Sequence, residues 1–164
     1  MSQTRRHILT GRMSRPAPEF RPPWTTEARI TALCTRCGDC APACPQGIIE
    51  IADGHPRIRL NGSECTFCGD CAAACTAEVF QTDLPRPWPV RVEMGNGCLL
   101  GAGITCQLCT DACDSRALRF DLRVRPVGGI EIKADACTGC GACLAVCPTG
   151  SLRLHDDRMT ERAA

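Results

Sequence analysis

The sequence predicts an α+β fold: two tandem modules of short hairpins and short helices gathered around clustered cysteines, behind an extended N-terminal tail. Three observations carry this expectation. Cysteine supplies 16 of the 164 residues, a density found in disulfide scaffolds and metal-cluster proteins. Leu, Ile, Val and Phe together supply only 31, thin material for a conventional apolar core. The cysteines also repeat at a fixed spacing, which sets the architecture.

Cys34, Cys37, Cys40 and Cys44 form a C-x2-C-x2-C-x3-C run followed by Pro45. Cys65, Cys68, Cys71 and Cys75 repeat it 31 residues later, and Cys137, Cys140, Cys143 and Cys147 repeat it again before Pro148. A variant precedes the last run: seven residues separate Cys98 from Cys106, Cys109 and Cys113. No cysteine is left over, and the four quartets fall into two pairs.

The elements follow in chain order. Residues 1–27 are polar and Pro-containing and are expected to form a flexible docking tail. Residues 28–84 form the first module. Within it Ile48-Ile49-Glu50-Ile51 and Arg57-Ile58-Arg59-Leu60 flank an Ala52-Asp53-Gly54 turn, and their alternation predicts a hairpin. Residues 85–89, Pro85-Arg86-Pro87-Trp88-Pro89, predict a stiff extended linker. Residues 90–164 form the second module, where Leu118 to Leu122 and Ile130 to Ile132 flank a Gly128-Gly129 turn. The Ala-rich stretches Gly38 to Cys44, Gly69 to Cys75 and Gly141 to Cys147 predict short helices, too short to stand alone.

The spacing selects the metal. Three thiolates within seven residues can wrap one corner of an iron–sulfur cubane, and in two-cluster ferredoxins the fourth cysteine of this run reaches the neighbouring cluster. Gly38, Gly69 and Gly141 sit between the second and third cysteines, where a missing side chain lets backbone N–H groups approach the sulfides. All 16 cysteines are therefore expected to bind [4Fe–4S] clusters, and each module to be bacterial-ferredoxin-like. Four clusters are expected, three if the Cys98 quartet stays empty. Its insertion, Leu99 to Thr105, must bulge outward, at small entropic cost.

Other chemistries fit less well. Structural zinc uses separated C-x2-C pairs, and disulfides suit an oxidised secreted chain. The C-x-x-C-H haem signature is absent. Rieske ligation needs histidine near cysteine, whereas His7, His55 and His155 lie outside the quartets and are expected on the surface. Net charge is +1, which gives no reason to expect a nucleic-acid partner. No run reaches the roughly 20 apolar residues of a membrane span, and no apolar stretch of a secretory signal follows Arg5 and Arg6. The chain is expected in the cytoplasm. No phosphate loop, dinucleotide fingerprint or Ser/His/Asp arrangement supports an enzyme.

The chain resembles the NapF family, ferredoxin-type accessory proteins of periplasmic nitrate reductase systems. Thr4-Arg5-Arg6-His7-Ile8-Leu9-Thr10-Gly11-Arg12 and Arg21-Pro22-Pro23-Trp24 carry the resemblance, and the quartets follow in the family's order. It implies a cytoplasmic polyferredoxin that binds the precursor of the nitrate reductase catalytic subunit before export. There it would help mature that subunit by supporting insertion of its iron–sulfur cluster. Arg5, Arg6 and Trp24 would then contact the partner. Arg5-Arg6 also resembles a twin-arginine export motif but lacks the apolar stretch. The alternative is a generic electron carrier between soluble redox enzymes, for which a ligand-free tail of 27 residues has little use.

Overall fold

A computed structural model describes residues 20–60, 62–84 and 86–156. Arg5 and Arg6 lie outside the described residues, but residues 20–27 are packed. Pro22 and Pro23 are fully buried, and the Arg21 guanidinium grips both carboxylate oxygens of Glu27 at 2.6 and 2.9 Å while donating to the Pro56 carbonyl. Ile58 N–H donates to Phe20 O at 2.7 Å, so this strap extends the edge of the first hairpin. The Thr26 side chain then caps helix α1 (Glu27–Leu33) by accepting from Arg29 N–H. Residues 20–27, expected as part of a flexible tail, are therefore held against the first module. The apolar faces of Pro22, Pro23 and Ile30 give them something to bury.

The two expected hairpins form. β1 (Ile49–Ala52) pairs antiparallel with β2 (His55–Ile58), Ile49 opposite Ile58. β4 (Leu118–Asp121) pairs with β5 (Gly129–Ile132), Leu118 opposite Ile132. A third sheet was not anticipated: β3 (Val90–Met94) pairs antiparallel with β6 (Leu152–Asp156), Val90 opposite Asp156. It ties the start of the second module to its end. Single-turn helices lie within three cysteine runs, each around the third cysteine: α2 (Asp70–Ala73), α3 (Leu108–Asp111) and α4 (Ala142–Ala145). The corresponding Gly38 to Cys44 stretch is a set of turns rather than a helix. Its Pro42 has no N–H to donate to the preceding turn.

One core serves both modules. Ile48, Ile49 and Ile58 from the first belong to the same buried cluster as Val90, Val92, Leu118, Leu152 and Leu154 from the second. Trp88 joins them. The linker is consequently no free spacer: Trp88 is 1% exposed and stands edge-on to Phe67 at 5.9 Å, and Arg86 donates to the Asp135 carbonyl at 2.6 Å. A chain short of apolar bulk uses its largest side chain as the wedge between modules. Close to this wedge, Cys65 N–H donates to Cys140 O at 2.8 Å, linking a cysteine run of each module through the backbone.

Candidate metal centres

The backbone of the three regular runs changes hand on both sides of the second cysteine. Arg36 and Gly38, Phe67 and Gly69, and Gly139 and Gly141 all have positive φ, between 53° and 93°. Left-handed turns of this kind build concavities of backbone N–H groups that suit anions. The variant run differs, because Gln107, at φ −127°, replaces the glycine. A second repeat is common to all four quartets. The residue three after the last cysteine, namely Gly47, Glu78, Arg116 or Gly150, has φ between 50° and 60°. It turns the chain from the cysteine into the strand or buried segment that follows.

These turns gather the sulfurs around four cavities. Cys34, Cys37 and Cys40 meet Cys75 around about 390 Å³, the first site. Cys65, Cys68 and Cys71 meet Cys44 around about 350 Å³, the second. Cys98, Cys106 and Cys109 meet Cys147 around about 350 Å³, the third. Cys137, Cys140 and Cys143 meet Cys113 around about 300 Å³, the fourth. Each cavity thus takes three cysteines from one run and the last cysteine from its neighbour.

The chemistry of these donors suits a cluster. All 16 cysteines are free thiols. Among the described residues, no three His, Cys, Asp or Glu side chains converge tightly enough to hold a single metal ion. Four thiols that line one pocket without converging on a point fit a multi-iron cube better than one zinc, which needs each thiolate about 2.3 Å from the ion. The walls are apolar: Ile51, Pro56 and Phe80 at the first site, Ile48, Ile49 and Phe67 at the second, Met94, Leu99 and Ile130 at the third, Val92 and Leu154 at the fourth.

Burial governs the thiols. It pushes Cys71 and Cys143 up to about 12, and Cys40 and Cys65 up to about 11, with neighbouring thiols adding to the rise. Cys109 is raised for the same reason. Cys147 goes the other way. Burial pushes it up, but the Thr149 hydroxyl and the backbone N–H groups of Ser151, Thr149 and Leu152 together hold it below the usual thiol value. Backbone N–H groups also reach sulfur from Val92 to Cys137 at 3.4 Å, Leu118 to Cys113 at 3.4 Å and Ser151 to Cys147 at 3.3 Å.

The insertion in the variant quartet is orderly. Leu99–Ala102 form a 3-10 turn directly after Cys98, closed by Gly103 N–H on Leu100 O and Leu99 O, and residues 101–105 face solvent. Cys98 is thereby kept beside Cys106, Cys109 and Cys147 despite the longer loop.

Trp24, which the resemblance offers as a partner contact, is half-buried. It stands edge-on to Phe67 at 6.3 Å, lines the second cavity, and its carbonyl accepts from Gln81 N–H at 2.8 Å. His55 and His155 are half-buried on β2 and β6 rather than exposed, because strand pairing turns them against neighbouring residues. Sequence reasoning missed the walls of the fourth site. Val90 to Met94 and Leu152 to Asp156 alternate apolar and polar residues, a strand signal that was available. It also missed Ser115 and Thr149, each a hydroxyl two residues after a fourth cysteine.

No helix among the described residues is long and apolar enough to cross a membrane. The 4Fe-4S dicluster domain family matches residues 33–79, which hold both quartets of the first module, and 104–151, which hold the cysteines of the second module from Cys106 on but not Cys98. The Ferredoxin-type protein NapF of Haemophilus influenzae is 41% identical over 87% of this chain and 82% of its own length. That of Escherichia coli K12 is 34% identical over 91% and 92%. The methylamine utilization ferredoxin-type protein MauM of Methylorubrum extorquens is 32% identical over 85% and 72%. With repeated dicluster matches and relatives aligned along most of its length, the chain belongs to the NapF family of 4Fe-4S ferredoxin-type proteins.

Proposed function

We propose that the chain is a cytoplasmic, non-enzymatic accessory protein that carries four [4Fe–4S] clusters and assists maturation of the periplasmic nitrate reductase catalytic subunit before export. The supporting observation for the clusters is the crossing of cysteines between neighbouring runs in all four cavities. The 16 cysteines are the ligands, Cys98 included, because it lines one cavity with Cys106, Cys109 and Cys147 despite the longer loop. Bound there, a [4Fe–4S] group supplies one-electron redox chemistry, and the chain's own contribution is to hold it in apolar walls and aim N–H and O–H groups at the sulfurs.

The nitrate reductase assignment rests on the alignment with NapF relatives along most of the chain. The precursor is the partner, docking on residues 1–19, where Arg5 and Arg6 offer forked, charge-assisted hydrogen bonds. Cluster insertion into that precursor is the assistance given. Trp24, half-buried beside the second site, adds an aromatic contact to that docking surface. A generic carrier is the second reading, favoured by the MauM relatives, whose name ties a ferredoxin-type protein to methylamine utilization instead.

A deletion that reaches Phe20 or Arg21 would remove strap contacts, and one that reaches Thr26 the helix cap, so the deletion that separates the two proposals ends at Glu19. The shortened chain should keep its iron and visible absorption yet fail to retain purified precursor in a pull-down. Undiminished binding, with matched iron content, would favour the generic carrier.

A further inference from the structure

The four sites are not equivalent in what reaches their sulfurs. At the fourth cysteines of the second module, a hydroxyl follows two residues on. Ser115 Oγ lies 3.5 Å from Cys113 Sγ, and Thr149 Oγ1 lies 3.6 Å from Cys147 Sγ. The first module has Gln46 and Ala77 at the same places after Cys44 and Cys75, neither of them a hydroxyl. Thr149 is itself fixed, with Ser151 Oγ 2.5 Å from Thr149 Oγ1, and Ser151 is 2% exposed. If Ser151 donates to Thr149, the Thr149 proton is free to point at sulfur. Because the cysteines cross, Ser115 addresses the fourth site and Thr149 the third. Backbone N–H groups reach sulfur in both modules, from Phe67 to Cys65 and Ala72 to Cys71 in the first and from Leu118, Val92 and Ser151 in the second, so the difference between the modules lies in the hydroxyls.

Hydrogen bonds to thiolate sulfur stabilise the more negative, reduced form of an iron–sulfur centre and so raise its potential. We propose that Ser115 and Thr149 are tuning residues that set the two sites of the second module above those of the first, so that the chain fills with electrons from its C-terminal module. This rests on the assignment of [4Fe–4S] clusters to the four cysteine sets. One electron enters each site and no bond to carbon, nitrogen or oxygen is made or broken.

The test is a potentiometric titration of the full-length protein with dithionite as reductant and ferricyanide as oxidant, followed by EPR, after iron and sulfide analysis. Thr149→Val and Ser115→Ala should each lower a different one of the two highest midpoints, shifting its redox equilibrium about threefold to tenfold. That is about 30–60 mV at 59 mV per tenfold for one electron. Thr149→Ser should restore the wild-type value. Ala77→Ser introduces the missing hydroxyl beside Cys75 and should raise the midpoint of the first site by a similar amount. Ala77 lines that cavity, and the gain does not depend on how well Thr149→Val holds its cluster. Unmoved midpoints in variants with full iron, or no rise with Ala77→Ser, would overturn the tuning role. Wild-type protein without iron and sulfide would overturn the cluster assignment first, and the tuning role with it.

Discussion

Cys44 follows Cys40 by four residues, yet it shares a cavity with Cys65, Cys68 and Cys71, while Cys75 shares one with Cys34, Cys37 and Cys40. The pairing of lesions tests this arrangement. A filled chain carries about 16 irons, four to each cluster. Replacing one cysteine by alanine removes a quarter of a site's ligands, and loss of the cluster takes about 4 irons with it. Cys44→Ala combined with Cys65→Ala strikes the second site twice, so the double variant should still hold about 12 irons, as each single variant does. Cys44→Ala combined with Cys34→Ala strikes two sites and should leave about 8. Local ligation reverses the two results. The assay is iron and sulfide quantitation on anaerobically purified protein, with EPR of the dithionite-reduced form to identify which signals vanish. An iron count of about 8 for Cys44→Ala with Cys65→Ala, beside about 12 for Cys44→Ala with Cys34→Ala, would refute the crossed arrangement.

Trp88→Ala removes the buried wedge shared by both modules and should cost about 3–5 kcal/mol, visible as an earlier cooperative melt of the cluster-loaded protein. Gly139→Ala should destabilise by about 1–3 kcal/mol, because at φ +78° its Cβ would lie 2.7 Å from Val90 O; Gly47→Ala, with open space around it, shares the backbone strain and should melt later than Gly139→Ala. Chelation of iron should unfold the chain, since the cavities lie where a larger protein would place apolar side chains; retention of native-like chemical shifts in the iron-free chain would contradict this. The pH dependence of loading has a definite sign. The ligand is the thiolate, and burial holds Cys65 near about 11 and Cys71 and Cys143 near about 12, so assembly expels protons and must go further as pH rises. Reconstitution at pH values of about 6.5 and 8.5 should show more cluster at the higher value, with proton release measurable by a pH indicator; equal yields would count against protonated thiols as the starting state.

Much of this protein is decided by short-range information. The hairpins at 49–58 and 118–132 come from apolar alternation across a turn, and the cysteine runs come from steps of three, all within reach of local reasoning. The cluster chemistry is equally local, because three of every four sulfurs sit within one loop, except at Cys98. Long-range decisions are of another kind. Val90 to Met94 announces a strand but not its partner, and Leu152 to Asp156 pairs with it only once the intervening cysteine runs are folded. The Pro-rich segment advertises a stiff linker because proline fixes φ, whereas the burial of Trp88 depends on a cleft that two modules make together. The same holds for residues 20–27: their composition describes a solvated tail, and their packing depends on Ile58, Phe67 and Pro87, which are distant in sequence. Local sequence determines which atoms can bind a cluster. Tertiary contact decides which cysteines share a cavity and which hydroxyls face them, because sulfur geometry and apolar burial are satisfied only when segments far apart in the chain arrive at the same place.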